Sequence, residues 1–414
     1  MKVPNINKLF NCRACGALNL RKFVHLPDMP FTDDFVSNER KGSEFRADID
    51  IFVCEKCLTA QTQHDVDVAD YYEDYQYTVG DSTLAQGFMK TLAVRLKHAY
   101  YPLSDGKKVL EVGSSDGAQL LAFKETGCHV LGYEPSSVLC DMAEKKGVPT
   151  IQGLFTSESV DMLPPEFKDA DVVMLSYTFD HLPDPISFLQ TTASILNKKE
   201  GLLVVEIHNL EKIIERQEYC LFEHEHSIYL TEQTVINICK SAGLVVIDFD
   251  LVPETERRAN SLICIATPNS SRFSNKPIKP RTPKEFSDLN FYSKVGENIH
   301  RGITNLERFV DQITSKNKKL IGYGAGGRGV MTLAAMQNAQ KLAYVVDKKP
   351  KRPGLFMPKT TLPVYPIEHL RVDPADEILV FSFGYMKEIQ KELSVMGYKP
   401  EQFHSLIDVL AGRY

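Results

Sequence analysis

Cys12-Arg-Ala-Cys15 and Cys54-Glu-Lys-Cys57 place four thiols in two close pairs. Two CxxC loops complete a tetrahedral sulfur shell for Zn2+, because each presents two sulfurs on one turn. The expected metal is structural, since no fifth Cys or His stands beside either pair to mark an open coordination position. The gap between the pairs is roughly twice the 15–20 residues of compact zinc ribbons. It holds Phe31, Phe35, Phe45, Ile49, Ile51 and Phe52, enough apolar surface for a small β-rich lobe over the metal.

A second constellation is the loop Val109-Leu-Glu-Val-Gly-Ser-Ser-Asp-Gly117. Its glycines let the backbone pass close beneath a ligand while the following helix offers free N–H groups. Glu134 ends the next apolar run, about twenty residues on, where a carboxylate can bind ribose hydroxyls. That spacing serves NAD or S-adenosylmethionine. The GxGxxG trio suited to a pyrophosphate is absent, and Asp116 adds a negative charge that suits a cationic sulfonium. The expected cofactor is therefore S-adenosylmethionine, held by Glu111, Gly113, Ser114, Asp116, Gly117, Glu134 and Pro135.

The loop Gly322-Tyr-Gly-Ala-Gly-Gly-Arg-Gly329 looks more like a dinucleotide fingerprint, with Asp347 closing the next run. Arg328 inside it would serve a phosphate in its own right. A nucleotide diphosphate bound through Tyr323, Gly324, Arg328 and Asp347 is the leading expectation, with NAD or a structural turn as alternatives. Cys220-Leu-Phe-Glu223-His224-Glu225-His226 follows the fourth apolar run. A carboxylate beside an imidazole can orient it and raise its basicity, as a general base requires. His224 and His226 are candidates with Glu223, and His181 approaches the same edge from the preceding run; the alternative is a hydrogen-bonded loop pair.

These residues need elements to hold them. Apolar runs at residues 108–112, 130–133, 171–177, 202–207, 245–249 and 262–267 alternate with helix-length segments, the mark of a doubly wound parallel sheet. A helix is expected over 84–99. The polar, proline-rich stretch 268–280 reads as a linker, a long helix follows over 283–315, and runs near 343–346 and 378–382 build a smaller C-terminal α/β domain. The expected lobes are residues 1–75 for zinc, 76–268 for the cofactor and 283–414 for a nucleotide sugar.

The 414 residues suit two to four domains. A net charge of −6 argues against nucleic acid or an anionic membrane as partner. No signal-like or membrane-length apolar run occurs, so a cytoplasmic enzyme is expected, as monomer or dimer. Cys128, Cys140, Cys220, Cys239 and Cys264 are isolated and read as reduced core residues.

Taken together, the paired CxxC lobe, EVGSSDG, GYEPS, His181, the HEH cluster and GYGAGGRG resemble the zinc-containing, S-adenosylmethionine-dependent C-methyltransferases of deoxysugar biosynthesis. The likeness runs along nearly the whole chain. It implies methylation of a carbon next to the ketone of a nucleotide-linked sugar, with the last histidine of the cluster, His226, in catalysis. It also implies a sugar contact at Tyr77 and a phosphate contact at Arg328, where a lysine is common in the family. One departure bears on chemistry: the family's Tyr-His-Glu-His motif has Glu223 at its tyrosine position. Either Glu223 is protonated, or it is itself the base, or the chain does different chemistry on, or only binds, a nucleotide sugar. The zinc lobe is expected to support folding and substrate binding, not the chemical step.

Overall fold

The computed structural model describes residues 6–66, 82–102, 104–258, 260–348 and 354–414. Tyr77 lies outside them. In the N-terminal lobe, β1 (Ile6–Lys8) pairs antiparallel with β5 (His64–Val66), and β2 (Leu20–Pro30), β3 (Arg46–Cys54) and β4 (Ala60–Thr62) form an antiparallel meander. Ile49, Ile51 and Val53 alternate inward along β3, as a half-buried strand requires.

Central strands follow in chain order: β6 (Lys108–Val112), β7 (His129–Glu134), β8 (Thr150–Gln152), β9 (Val172–Ser176), β10 (Leu202–His208), β11 (Ile228–Tyr229), β12 (Leu244–Asp248) and β13 (Ser261–Pro268). Seven of them make a sheet in the order β12-β13-β10-β9-β6-β7-β8. It is parallel from β8 to β10, but β13 runs antiparallel to both β10 and β12, which corrects the expectation of a wholly parallel sheet. Among its described residues the 249–260 connection contains only a short 3-10 turn, Glu254–Glu256, and strands joined without a crossover helix reverse direction. β11 leaves this sheet and pairs with β4, completing the four-stranded sheet of the zinc lobe.

The C-terminal sheet is parallel: β14 (Leu320–Tyr323), β15 (Val345–Asp347), β16 (Val364–Pro366), β17 (Glu377–Val380) and β18 (Phe403–Ser405), in the order β16-β15-β14-β17-β18. The preceding long helix spans Leu289–Thr314, starting later than expected because Pro283 leads a 3-10 turn and Asp288 caps the helix through Asn290 N. Its buried stripe, Tyr292, Val295, Ile299, Leu306 and Phe309, keeps helical spacing. One apolar core joins Phe23 and Ile51 of the zinc lobe, Phe222 and Tyr229 of the connecting segment, and Met331 and Phe381 of the C-terminal domain. Among the described residues, no helix is long and apolar enough to cross a membrane.

Candidate active site

The four expected metal ligands converge. Their sulfurs all lie within 4.8 Å of one another, with Cys12–Cys57 at 3.5 Å and Cys15–Cys54 at 3.6 Å. Zn–S bonds of about 2.3 Å place tetrahedral sulfurs about 3.8 Å apart, so the set fits zinc without rearrangement. Each knuckle is closed by a left-handed residue, Gly16 (φ 71°) and Leu58 (φ 63°), whose N–H returns to the carbonyl of Cys12 or Cys54 at 2.8 and 2.9 Å.

The cofactor loop joins β6 to the helix Ala118–Glu125. Gly113 has φ 70°, and a Cβ there would stand 2.4 Å from Thr178 Oγ1, so only glycine fits. Glu134 closes β7 with its carboxylate on two loop amides, Ser115 N and Ser136 N, each at 2.9 Å. Glu111 and Ser114 are buried, and Glu111 Oε2 and Ser114 Oγ have no hydrogen-bond partner among the described residues. Buried orphan polar atoms at a strand end await a polar ligand. Pro135 is half-buried at the same edge. Asp116 differs from expectation: it pairs with Lys146 at 2.5 Å and accepts Ala118 N–H at 3.3 Å, so its charge is spent within the loop and the first helical residue and is not presented to a ligand.

The histidines gather at the carboxyl ends of β9 and β10, the edge where such sheets bind ligands. His226 is central, with ring centroids 4.7 Å from His181 and 5.1 Å from His208. Its Nδ1 donates to Leu221 O at 3.0 Å, which leaves the Nε2 lone pair 3.8 Å from Glu223 Oε2. Burial pushes Glu223 up to about 8 against the opposing charge of Arg328, while Asp33 and Asp180 raise it further. At neutral pH it is a carboxylic acid that can donate. Burial also drives His181 and His208 well below the ordinary imidazole value, so both are neutral.

His224 does not belong to this cluster. Its ring lies against Phe31 and Phe45 of the zinc lobe, its Nε2 donates to Met29 O at 2.9 Å, and its Nδ1 meets His64 Nε2 at 2.9 Å. With both nitrogens committed and burial lowering its pKa to about 3, it is a strut and not a base. An extended segment would set His224 and His226 on one face and Glu223 and Glu225 on the other; the turn at residues 224–225 instead brings His226 beside Glu223 and sends both His224 and Glu225 to the lobe, where Glu225 Oε1 accepts from Thr32 Oγ1 at 3.2 Å.

The C-terminal glycine loop meets the cluster but is not an open phosphate cradle. Tyr323 packs in the C-terminal core, Gly324 (φ 101°) lets Ser382 Oγ approach within 2.6 Å of where a Cβ would be, and Asp347 Oδ2 accepts Ala325 N–H at 2.7 Å. These three serve the turn itself. Arg328 points to the cleft and donates to buried Glu218 Oε2 at 3.4 Å. A Cβ on Gly327 would stand 3.0 Å from Glu223 Oε1, so this loop forms the wall behind Glu223.

Sequence reading missed Asp180, His208, Tyr177, Glu206 and Arg258. Arg258 pairs with Glu206 and lies between the rings of Phe88 and Tyr177, at 4.9 and 4.8 Å. Tyr177 is left-handed (φ 52°), and that turn swings Asp180 and His181 inward. Their available signal was position: each of His208 and Tyr177 ends or follows an apolar run at the ligand edge.

Comparison with known families follows the same three-part order. Residues 12–72 match the "Putative zinc binding domain", residues 85–248 the "Methyltransferase domain", and residues 275–405 the "C-methyltransferase C-terminal domain". The chain is similar to the C-methyltransferase NovU of Streptomyces niveus, 24% identical over 391 residues that cover 93% of this chain and 92% of that protein. The chain is an S-adenosylmethionine-dependent C-methyltransferase. A ubiquinone biosynthesis O-methyltransferase of Aeromonas salmonicida is 26% identical over 157 residues, covering 34% of this C-methyltransferase and 65% of the relative. Among solved structures, the CcbJ methyltransferase of Streptomyces caelestis covers 49% of this chain and 96% of its own, at 15% identity and a TM-score of 0.35.

Proposed function

We propose that the chain methylates a carbon next to the ketone of a nucleotide-linked deoxysugar, using a zinc lobe (1–75), a cofactor domain (76–268) and an acceptor domain (283–414). The observation that carries this reading is the pair His226 and Glu223. An imidazole whose Nδ1–H is spent on Leu221 O keeps its lone pair at Nε2, and a buried neutral acid stands beside it. Removing a proton from carbon is costly unless the developing oxyanion meets a fixed donor, and a base next to a protonated carboxyl meets both needs.

His226 takes the proton from carbon, the C–H electron pair moves into an enolate, and Glu223, with its proton, donates to the enolate oxygen. Glu223 in this state does what the family's tyrosine phenol would do. His181, in ring contact with His226, is held neutral by burial with its one N–H on the Glu225 carbonyl, and it lines the site beside the base. Bound S-adenosylmethionine supplies an electrophilic methyl group, and Glu111, Gly113, Ser114, Gly117, Glu134 and Pro135 would hold it. Of the residues expected on the C-terminal loop, Arg328 stays in this reading as the cation facing the acceptor.

The test is His226→Asn with a panel of nucleotide keto-sugars. Wild type should add one methylene unit by mass spectrometry. The variant should form no product while calorimetry finds S-adenosylmethionine binding unchanged, and full activity in the variant would remove His226 as the base.

A further inference from the structure

The end of β10 carries a second imidazole–carboxylate pair that proton removal by His226 does not use. His208 Nδ1 donates to Asp180 Oδ2 at 2.8 Å, and the same oxygen accepts the His208 backbone N–H at 3.1 Å. Asp180 is 1% exposed, and its carbonyl is held by Ser227 through N–H at 2.7 Å and Oγ at 3.1 Å. Burial pushes Asp180 up to about 7, but the oxygen that accepts the backbone N–H stays an acceptor toward Nδ1 and selects the tautomer with its proton there and its lone pair at Nε2. Burial keeps the ring neutral at physiological pH. Nε2 has no hydrogen-bond partner among the described residues, although the side chain retains 15% of its surface. The ring lies between Tyr177, at 4.5 Å, and His226, at 5.1 Å.

An oriented imidazole lone pair beside the proton-abstracting base can accept a hydrogen bond; it cannot serve the enolate oxygen, which needs donors. The group it suits is a hydroxyl within a bond or two of the carbon that His226 deprotonates. We propose that His208, oriented by Asp180, is a specificity-determining residue that accepts a hydrogen bond from a substrate hydroxyl on or beside the acceptor carbon, so that the acceptor is an α- or β-hydroxy ketone. The proton stays on the hydroxyl oxygen throughout, and the contact fixes which face of the carbon meets His226. This assignment rests on the carbon-methylation reading and narrows its substrate class.

The experiment compares two nucleotide keto-sugars that differ only in that hydroxyl. A site built to pair a hydroxyl discriminates strongly against the analogue lacking it, by about 10²-fold or more in kcat/KM. Wild type should show that preference. His208→Leu should collapse it by lowering kcat/KM for the hydroxylated sugar alone, and His208→Gln, which retains an acceptor, should restore part of it. Asp180→Asn, which removes the tautomer selection, should reduce the preference in the same direction and provides a second reading if His208→Leu does not fold. A preference unchanged in these variants, or absent in wild type, overturns the proposal. If wild type methylates no keto-sugar at all, the carbon-methylation reading has failed, and the His208 assignment is then decided by 15N NMR of the wild-type histidines. A proton on Nδ1 and a lone pair on Nε2 that shifts on adding the hydroxylated sugar upholds it; an Nε2–H tautomer, or no shift, removes it.

Discussion

Glu223 occupies the position where the resemblance places a tyrosine, and its environment answers what the substitution does. Its pKa, near 8 through burial, lies above that of an unfolded carboxyl. In the proposed mechanism, the proton that the enolate oxygen needs is therefore present at neutral pH and lost as pH rises through about 8. In wild type, kcat should fall above that pH. Glu223→Gln keeps a donor that does not titrate, so the alkaline fall should disappear while neutral-pH kcat stays within roughly tenfold. A kcat–pH profile for both proteins checks this, and an identical alkaline fall in the variant would exclude Glu223 as its source. The four cysteines and the Gly113 loop were legible because their chemistry is local, carried by residues a few positions apart. Asp180 with His208 was not: the pair exists only because β9 and β10 are neighbours, and no spacing in the chain expresses that.

At the scale of elements, apolar runs located six of the central strands within a residue or two, since burial demands them, but not β8, whose three residues are half-buried to exposed. Pairing direction was invisible at β13, because the same apolar residues suit either direction and only the short 249–260 connection decides. β11 was invisible for another reason: two residues carry no period, and their partners in β4 lie far back in the chain, Ile228 against Gln61 and Tyr229 against Ala60. Two glycines show how packing, not propensity, governs the helices. A Cβ on Gly87, in the helix Thr83–Tyr100, would meet nothing within 4 Å, whereas a Cβ on Gly296 would stand 2.2 Å from Phe23 O of β2. Replacing a mid-helix glycine by alanine gains up to about 1 kcal/mol, and overpacking against backbone costs about 1–3 kcal/mol. Gly87→Ala should raise the urea midpoint and Gly296→Ala should lower it. Equal shifts of one sign would mean that the long helix does not bear on β2 as described.

For the whole molecule, the zinc lobe is part of the active site's frame, which alters what metal removal should do. Arg13, inside the first knuckle, donates to Thr62 O at 3.3 Å, His64 O at 3.1 Å and Pro183 O at 2.9 Å, and pairs with Asp65 at 2.6 Å. Pro183 follows closely on His181 in the chain. Thr62 in turn donates from Oγ1 to His226 O at 2.6 Å and from its N–H to Ser227 O at 3.1 Å. A chain of contacts thus runs from the metal ligands through Arg13 to both His181 and His226. The cofactor loop lies outside that chain, being held by Glu134, Ser136 and Lys146 on β7 and the elements after it. Sequence alone suggested that the metal supports folding and substrate binding only; from these contacts we propose that it also supports the chemical step. Stepwise chelation should therefore lower kcat in proportion to zinc lost, while the Kd for S-adenosylmethionine changes by about threefold or less. Arg13→Met should lower kcat with zinc content unchanged, because it cuts the link without touching a ligand. Measuring zinc by absorption spectroscopy, kcat by product mass and Kd by calorimetry on the same samples separates the cases. A zinc-free protein with wild-type kcat would show that His226 holds its place without the lobe.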